Sequence, residues 1–219
     1  VSSEKIFNIY HDYSIVKSSK LSLSRQVMQY LYIKRIIDLI LAAAGLLISL
    51  PAILIFSVLI MAETPGSPFY IQKRVGKNGK CFNIIKLRSM RVDAEKNGAK
   101  WAEKNDSRIT KVGAFIRKTR IDELPQFLMV LKGDMSIVGP RPERPVFVEQ
   151  FNSDINGFEN RLLVKPGLTG LAQVNGGYDI SPKEKLHYDL EYIKNLSFAL
   201  EMKIILKTFK VILTGDGAR

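Results

Sequence analysis

The stretch that decides the fold is residues 39–62, LILAAAGLLISLPAILIFSVLIMA, 24 residues without a formal charge. At ~1.5 Å per residue, a straight helix of this length covers a ~30 Å hydrocarbon layer. Helices of soluble cores rarely run so far without a polar face, so the segment reads as a membrane element. Pro51 stands near its middle. Lacking a backbone donor, it divides the run into two halves, each too short to span. Lys34 and Arg35 precede the run, and Lys73, Arg74 and Lys77 follow it. Positive charge at both ends favours the cytoplasmic side for both. The reading is a re-entrant helical hairpin anchored through Lys34, Arg35 and Pro51. A kinked true span is the alternative, because proline is tolerated in spanning helices.

Outward from this anchor, a chain of 219 residues suits one main domain. Residues 1–30 carry seven serines and no long apolar run, so they read as an N-terminal extension rather than a signal peptide. Residues 31–64 read as the membrane anchor and residues 65–219 as the main domain, the expected seat of any catalytic site. With 46% hydrophobic residues the composition is that of a folding chain, not a disordered or low-complexity one. One cysteine, Cys81, excludes an internal disulfide and a cysteine-based zinc site. His11 and His187 are too far apart in sequence to suggest a histidine-rich metal site.

Beyond the anchor, Phe69 to Val75 and Phe82 to Leu87 flank Asn78-Gly79, a hairpin signal. The polar residues 93–107 read as a loop or short helix. Val112, Phe115 and Ile116 have helical spacing, as do Phe127, Leu128 and Leu131, which run into Gly133. Ser181-Pro182-Lys183-Glu184 is a capping box that opens a helix towards Asn195. Phe198, Met202, Ile205, Phe209 and Ile212 recur at steps of four and three, with Lys203, Lys207 and Lys210 on another face. Such a helix suits a lipid interface, although packing on the domain uses the same pattern.

Charge is concentrated. Residues 72–120 hold 15 Lys or Arg against four acids, so nearly all of the chain's net +12 lies there. The block suggests an anionic partner: nucleic acid, a lipid surface or a phosphorylated substrate. Just past it, Asp122-Glu123 follow Arg117, Lys118 and Arg120 at a predicted helix start. One reading is structural, with Asp122 as a helix cap. The other is chemical: Asp122 as a nucleophile and, with Glu123, a ligand of Mg²⁺, whose usual company is one or two carboxylates and phosphate oxygens. In Gly139-Pro140-Arg141-Pro142 the prolines restrict the backbone of Arg141, which suits a pre-set phosphate-binding guanidinium. In Val164-Lys165-Pro166-Gly167-Leu168-Thr169-Gly170 the glycines allow close approach of the backbone to a ligand. No G-x-G-x-x-G, P-loop, H-E-x-x-H or G-x-S-x-G pattern occurs, which argues against dehydrogenases, nucleotide hydrolases, zinc proteases and serine hydrolases.

Taken in order, Lys34-Arg35-Ile36-Ile37-Asp38, the proline-broken apolar run, Lys86-Leu87-Arg88-Ser89-Met90, Asp122-Glu123-Leu124-Pro125-Gln126, Val138-Gly139-Pro140-Arg141-Pro142 and Lys165-Pro166-Gly167-Leu168-Thr169-Gly170 form a set. Over roughly residues 31–213 the chain closely resembles the bacterial sugar transferases, the monotopic polyprenyl-phosphate phosphoglycosyl transferases. The resemblance implies an α+β protein: a re-entrant membrane helix hairpin plus a mainly helical cytoplasmic domain with a small β-hairpin or sheet and interfacial amphipathic helices. It implies transfer of a sugar 1-phosphate from a UDP-sugar to undecaprenyl phosphate, with Mg²⁺ and an aspartyl-phosphosugar intermediate. Asp122 matches the nucleophile and Glu123 its partner in catalysis and metal binding. Arg117 and Arg141 match phosphate-binding arginines, and Lys86 and Arg88 a basic motif. Glu143-Arg144-Pro145, Tyr188-Asp189 and Tyr192 resemble the exopolysaccharide or capsule branch, which implies glucose or galactose 1-phosphate. The expected location is the bacterial cell membrane, with the catalytic domain facing the cytoplasm. The expected partners are the two substrates and the phospholipid bilayer, with no nucleic acid; homo-oligomerisation stays open. The rival readings are a membrane-tethered nucleic-acid-binding protein, resting on the basic block, and a non-catalytic scaffold.

Overall fold

A computed structural model of the chain describes residues 23–96, 106–176 and 180–214. Its longest element, α1 (Arg25–Glu63), carries the apolar stretch in a helix of 39 residues. The Ser24 hydroxyl caps it by accepting from the Val27 N–H at 3.2 Å. Residues 25–30, read above as extension, therefore belong to the helix.

The expected division into two half-helices at Pro51 is corrected: α1 is helical through Pro51. The proline is on the exposed side, so its missing hydrogen bond leaves the packed face uninterrupted. That face runs Lys34, Asp38, Ala42, Ser49, Ile53, Ser57, Ile60, a stripe at helical spacing on both sides of the proline. Large apolar side chains cover the remainder, with Leu47 74% and Ile48 80% exposed. By length and composition α1 can cross a membrane.

β1 (Phe69–Val75) and β2 (Cys81–Leu87) form the expected hairpin, pairing Phe69 with Leu87 and Val75 with Cys81. Asn78 and Gly79 at its turn have φ of 55° and 79°, the left-handed region those residues tolerate. Of the polar segment, residues 92–96 form turns and residues 97–105 lie outside the described residues. Next come α2 (Lys111–Lys118), a 3-10 turn (Ile121–Gln126) and α3 (Phe127–Lys132), which ends at Gly133 with φ of 98°. β3 (Ser136–Val138), α4 (Pro145–Asp154), a second 3-10 turn (Phe158–Leu163), β4 (Gly167–Thr169) and α5 (Leu171–Gly176) follow. The chain closes with α6 (Pro182–Lys194), which has the expected capping box, and α7 (Phe198–Thr214).

β3 and β4 pair in parallel, Ser136 with Gly167 and Val138 with Thr169. This pairing corrects the reading of the Gly167 and Gly170 cluster. A Cβ on Gly167 would lie 2.1 Å from the Gly139 nitrogen, and one on Gly170 would lie 2.2 Å from the Gly139 oxygen. The glycines admit a neighbouring backbone, not a ligand.

The main core joins Ala42 of α1 to Met129 and Val130 of α3, Val138, Tyr192, Ile193 and Ile204. A second cluster packs Ile53 and Ile60 of α1 on Leu87 and Ile116. α1 and α3 meet where a Cβ on Gly45 would sit 2.6 Å from the Phe127 ring. The class is α+β: helices around two small two-stranded sheets.

Two anchor residues are reassigned. Lys34, 5% exposed, does not face head groups; it pairs with Glu201 of α7 at 2.5 Å and Asp38 at 3.5 Å. Arg35 donates to the carbonyls of Val130 and Leu131 at 2.7 and 3.1 Å, closing the end of α3. A buried cation needs a partner, and the acids and carbonyls of the domain supply it. On α7, Glu201 and Ile204 pack inward, while the expected apolar face holds Phe198 and Phe209, 53% and 61% exposed.

Candidate active site

The 3-10 turn Ile121–Gln126 carries the acidic pair. Arg120 before it has φ of 59°, a left-handed residue that turns the chain sharply out of α2. Asp122 and Glu123 then lie in the first turn, both buried. Arg120 takes the cap position and no side chain caps the turn. The helix-cap reading of Asp122 is therefore corrected.

Glu123 is held by two cations from distant parts of the chain. Lys86 of β2 donates to its Oε1 at 2.8 Å. The Arg141 fork reaches both oxygens, Nη2 to Oε1 and Nη1 to Oε2, the latter at 3.4 Å. Burial pushes the Glu123 carboxyl up, but Arg141 and Lys86 outweigh it and hold it well below the usual carboxylate range. Asp122 moves the other way. Burial pushes it up to about 6, Lys86 pulls it back, the Glu123 charge adds to the rise, and Arg117 and Arg141 lower it. Adjacent carboxylates thus sit in different environments: Glu123 is an anion paired with Lys86 and Arg141, and Asp122 is an ionisable, more basic carboxylate among cations.

The structure brings Asp122, Glu123, Lys86 and Arg141 together, with Arg117 close enough for its charge to act on Asp122. Arg88 is elsewhere. Buried just past β2, it donates to the carbonyls of Thr64 and Pro65 at 2.9 and 2.7 Å, closing the chain after α1. Arg88 is therefore a structural clamp, because the carbonyls freed where α1 ends need donors. Three other cations of the basic block are paired within the protein in the same way. Lys86 serves Glu123, Arg74 serves Gln72 and the Pro142 carbonyl, and Arg108 serves Asp106.

Asp122 and Glu123 are two adjacent carboxylates, which is the protein's usual share of a Mg²⁺ site completed by phosphate oxygens, so the donor set fits that ion. A group of three or more such ligands does not occur among the described residues. Sequence reasoning missed the cluster of Arg74, Glu143, Arg161, Lys185 and Asp189 beneath the Arg141 loop. Its one local signal is Arg161, a cation beside the apolar run Leu162, Leu163, Val164.

Comparison with known proteins places this geometry. A protein of Bacillus subtilis (strain 168), provisionally named an undecaprenyl-phosphate N-acetylgalactosaminyl 1-phosphate transferase, is 56% identical over 162 residues, which are 74% of this chain and 90% of that protein. The UDP-N-acetylgalactosamine-undecaprenyl-phosphate N-acetylgalactosaminephosphotransferase of Aeromonas hydrophila is 47% identical over 87% of this chain and 46% of its own length. The UDP-glucose:undecaprenyl-phosphate glucose-1-phosphate transferase of Escherichia coli (strain K12) is 40% identical over 80% of this chain and 39% of its own. Against the latter two, the chain spans less than half the length of the relative. These relatives are named as undecaprenyl-phosphate sugar-phosphate transferases, which puts the chain in one enzyme class, the phosphoglycosyl transferases. Within that class the chain belongs to the bacterial sugar transferase family, whose profile matches residues 29–215.

Proposed function

We propose that the protein transfers a sugar 1-phosphate from a UDP-sugar to undecaprenyl phosphate through a covalent intermediate on Asp122, starting a lipid-linked exopolysaccharide or capsule glycan. The observation that carries this reading is the pair of opposed carboxylates: Asp122 raised to about 6 beside Glu123 fixed as an anion. In the first step an Asp122 oxygen attacks the phosphorus that bears the sugar. The bond to the bridging oxygen breaks and its electron pair leaves with UMP. In the second step a phosphate oxygen of undecaprenyl phosphate attacks the same phosphorus, and the Asp122 carboxylate is released. One site thereby serves a soluble and a lipid substrate in turn.

Arg141 and Lys86 gain a second role in this scheme. Both donors stand at the acidic pair before substrate arrives, and they would share or exchange their bonds to Glu123 for bonds to diphosphate oxygens. Arg117 adds charge. Mg²⁺, held by Asp122, Glu123 and substrate phosphate oxygens, would neutralise the diphosphate and stabilise the departing UMP. The names of the relatives at 56% and 47% identity favour N-acetylgalactosamine 1-phosphate, with galactose and glucose 1-phosphate, the sequence-based expectation, as the second choice.

The same reading makes the protein monotopic. Asp38, just before the apolar run of α1, accepts from the Ile137 N–H at 3.0 Å, and Glu63, just past it, accepts from the N–H groups of Lys111 and Val112 at 2.7 and 3.0 Å. An apolar run tied at both ends to one polar domain cannot cross the bilayer without taking domain backbone into hydrocarbon. The exposed apolar sides of α1 and α7 support insertion into one leaflet, with the basic chain on the cytoplasmic face.

The test is UMP release by detergent-purified protein given undecaprenyl phosphate, Mg²⁺ and each of UDP-N-acetylgalactosamine, UDP-galactose, UDP-glucose and UDP-N-acetylglucosamine. The expected result is lipid-dependent release, fastest with UDP-N-acetylgalactosamine. Release with none of them would overturn the reading.

A further inference from the structure

Two prolines restrict the backbone around Arg141 but do not determine where that backbone sits. Its placement comes from below. Arg161 Nη2 donates to the Arg141 carbonyl at 2.8 Å, and Arg74 Nη1 donates to the Pro142 carbonyl at 3.2 Å. The Glu143 carbonyl accepts from the Val75 N–H at the end of β1, at 3.0 Å. Its side chain accepts from Lys185 at 2.7 Å and lies 4.0 Å from Arg161.

Arg161 is the hub. It is 2% exposed, its Nε and Nη2 both reach Asp189 Oδ2 at 2.9 and 2.7 Å, and its guanidinium carbon stands 4.9 Å from the Phe158 ring centre. Asp189, on α6, is 1% exposed. Burying such a pair is a poor way to stabilise a fold, since desolvation offsets most of the attraction and well-packed apolar residues serve as well or better. What an apolar pair cannot do is donate to the Arg141 carbonyl.

We infer that Arg161, oriented by Asp189, is a positioning residue for Arg141: it fixes the backbone from which the Arg141 guanidinium reaches Glu123 and the substrate phosphates. This rests on the phosphate-binding role of Arg141 proposed above. A guanidinium displaced by about 1 Å costs up to roughly 100-fold in turnover, and Arg161 prevents that displacement from a second layer behind the site.

The experiment uses the full chain in detergent and the double variant Arg161→Met/Asp189→Leu, which removes both charges together and therefore leaves no unpaired buried ion. Turnover is measured by UMP release in the native background and again with Arg141→Lys, alongside thermal unfolding. The expected result is roughly a 10- to 100-fold fall in kcat, an unfolding temperature near that of the native protein, and a much smaller fall in the Arg141→Lys background, because both changes act through one group. The single variant Arg161→Lys, which keeps the charge beside Asp189 but loses the fork, should couple to Arg141→Lys in the same way and decides the matter should the double variant not fold. Native turnover in the folded variants, or an equal fall in both backgrounds, overturns the inference. A wild-type protein that releases no UMP overturns the proposed function instead.

Discussion

At the scale of single residues, the proposed chemistry rests on two neighbours with opposite environments, Asp122 and Glu123. Asp122→Asn removes the attacking charge and should abolish UMP release. It should also stabilise the protein. The folded-state value of about 6 lies above the ordinary 3.8, so the ionised form is disfavoured in the fold. That cost is absent below about pH 4 and fully present above about pH 6, and neutral Asn removes it at neutral pH. The unfolding temperature at pH 7.5 should therefore rise by a few degrees, an exchange of function for stability. In the native enzyme, kcat/KM should fall about tenfold per unit as pH drops below about 6, where Asp122 takes up a proton; a flat profile from pH 5 to 8 would contradict this. Arg141→Lys keeps the charge but loses the fork across Glu123, so turnover should drop about 10- to 100-fold with the fold intact.

At the scale of elements, what was legible in the chain was local. The Asn78-Gly79 hairpin, the Ser181 capping box and the Gly133 helix end follow from a few adjacent residues, and each occurs as expected. The β3 and β4 pair was not legible: three-residue strands about 30 positions apart carry no periodicity, and their glycines resemble those of any loop. The misread cations have a similar cause. Lys34 and Arg35 look like flanking membrane charges until Glu201 and the α3 carbonyls are brought to them by the fold. Asp122, Glu123 and Arg141 were legible as motif residues; the Arg161 and Asp189 support behind them was not, because its partners come from three separate segments. The parallel pair also predicts a mutational effect. Gly167→Ala would press a Cβ into the Gly139 backbone and should cost about 2–3 kcal/mol, a fall in unfolding temperature of roughly 5–10 °C, with turnover lost as the Arg141 loop shifts. An unchanged melting curve would contradict that packing.

At the scale of the whole molecule, α1 belongs to two environments at once. One stripe packs on the domain through buried side chains from Lys34 to Ile60, and the remaining surface is apolar and exposed. Because both ends of the apolar run are tied to the same domain, Ile33→Cys and Ser67→Cys, each in a Cys81→Ser background, should label from the same side of sealed vesicles. Labelling from opposite sides would mean a true span. In the proposed function the anchor brings the site to the lipid acceptor, and a covalent intermediate lets a soluble donor be used first. That intermediate is the central claim, and the mass of the intact protein tests it most directly. Wild type mixed with UDP-N-acetylgalactosamine and Mg²⁺, without lipid acceptor, should gain one sugar phosphate at Asp122 and lose it when undecaprenyl phosphate is added. No mass gain during active turnover, or an adduct that persists in Asp122→Asn, would contradict the account.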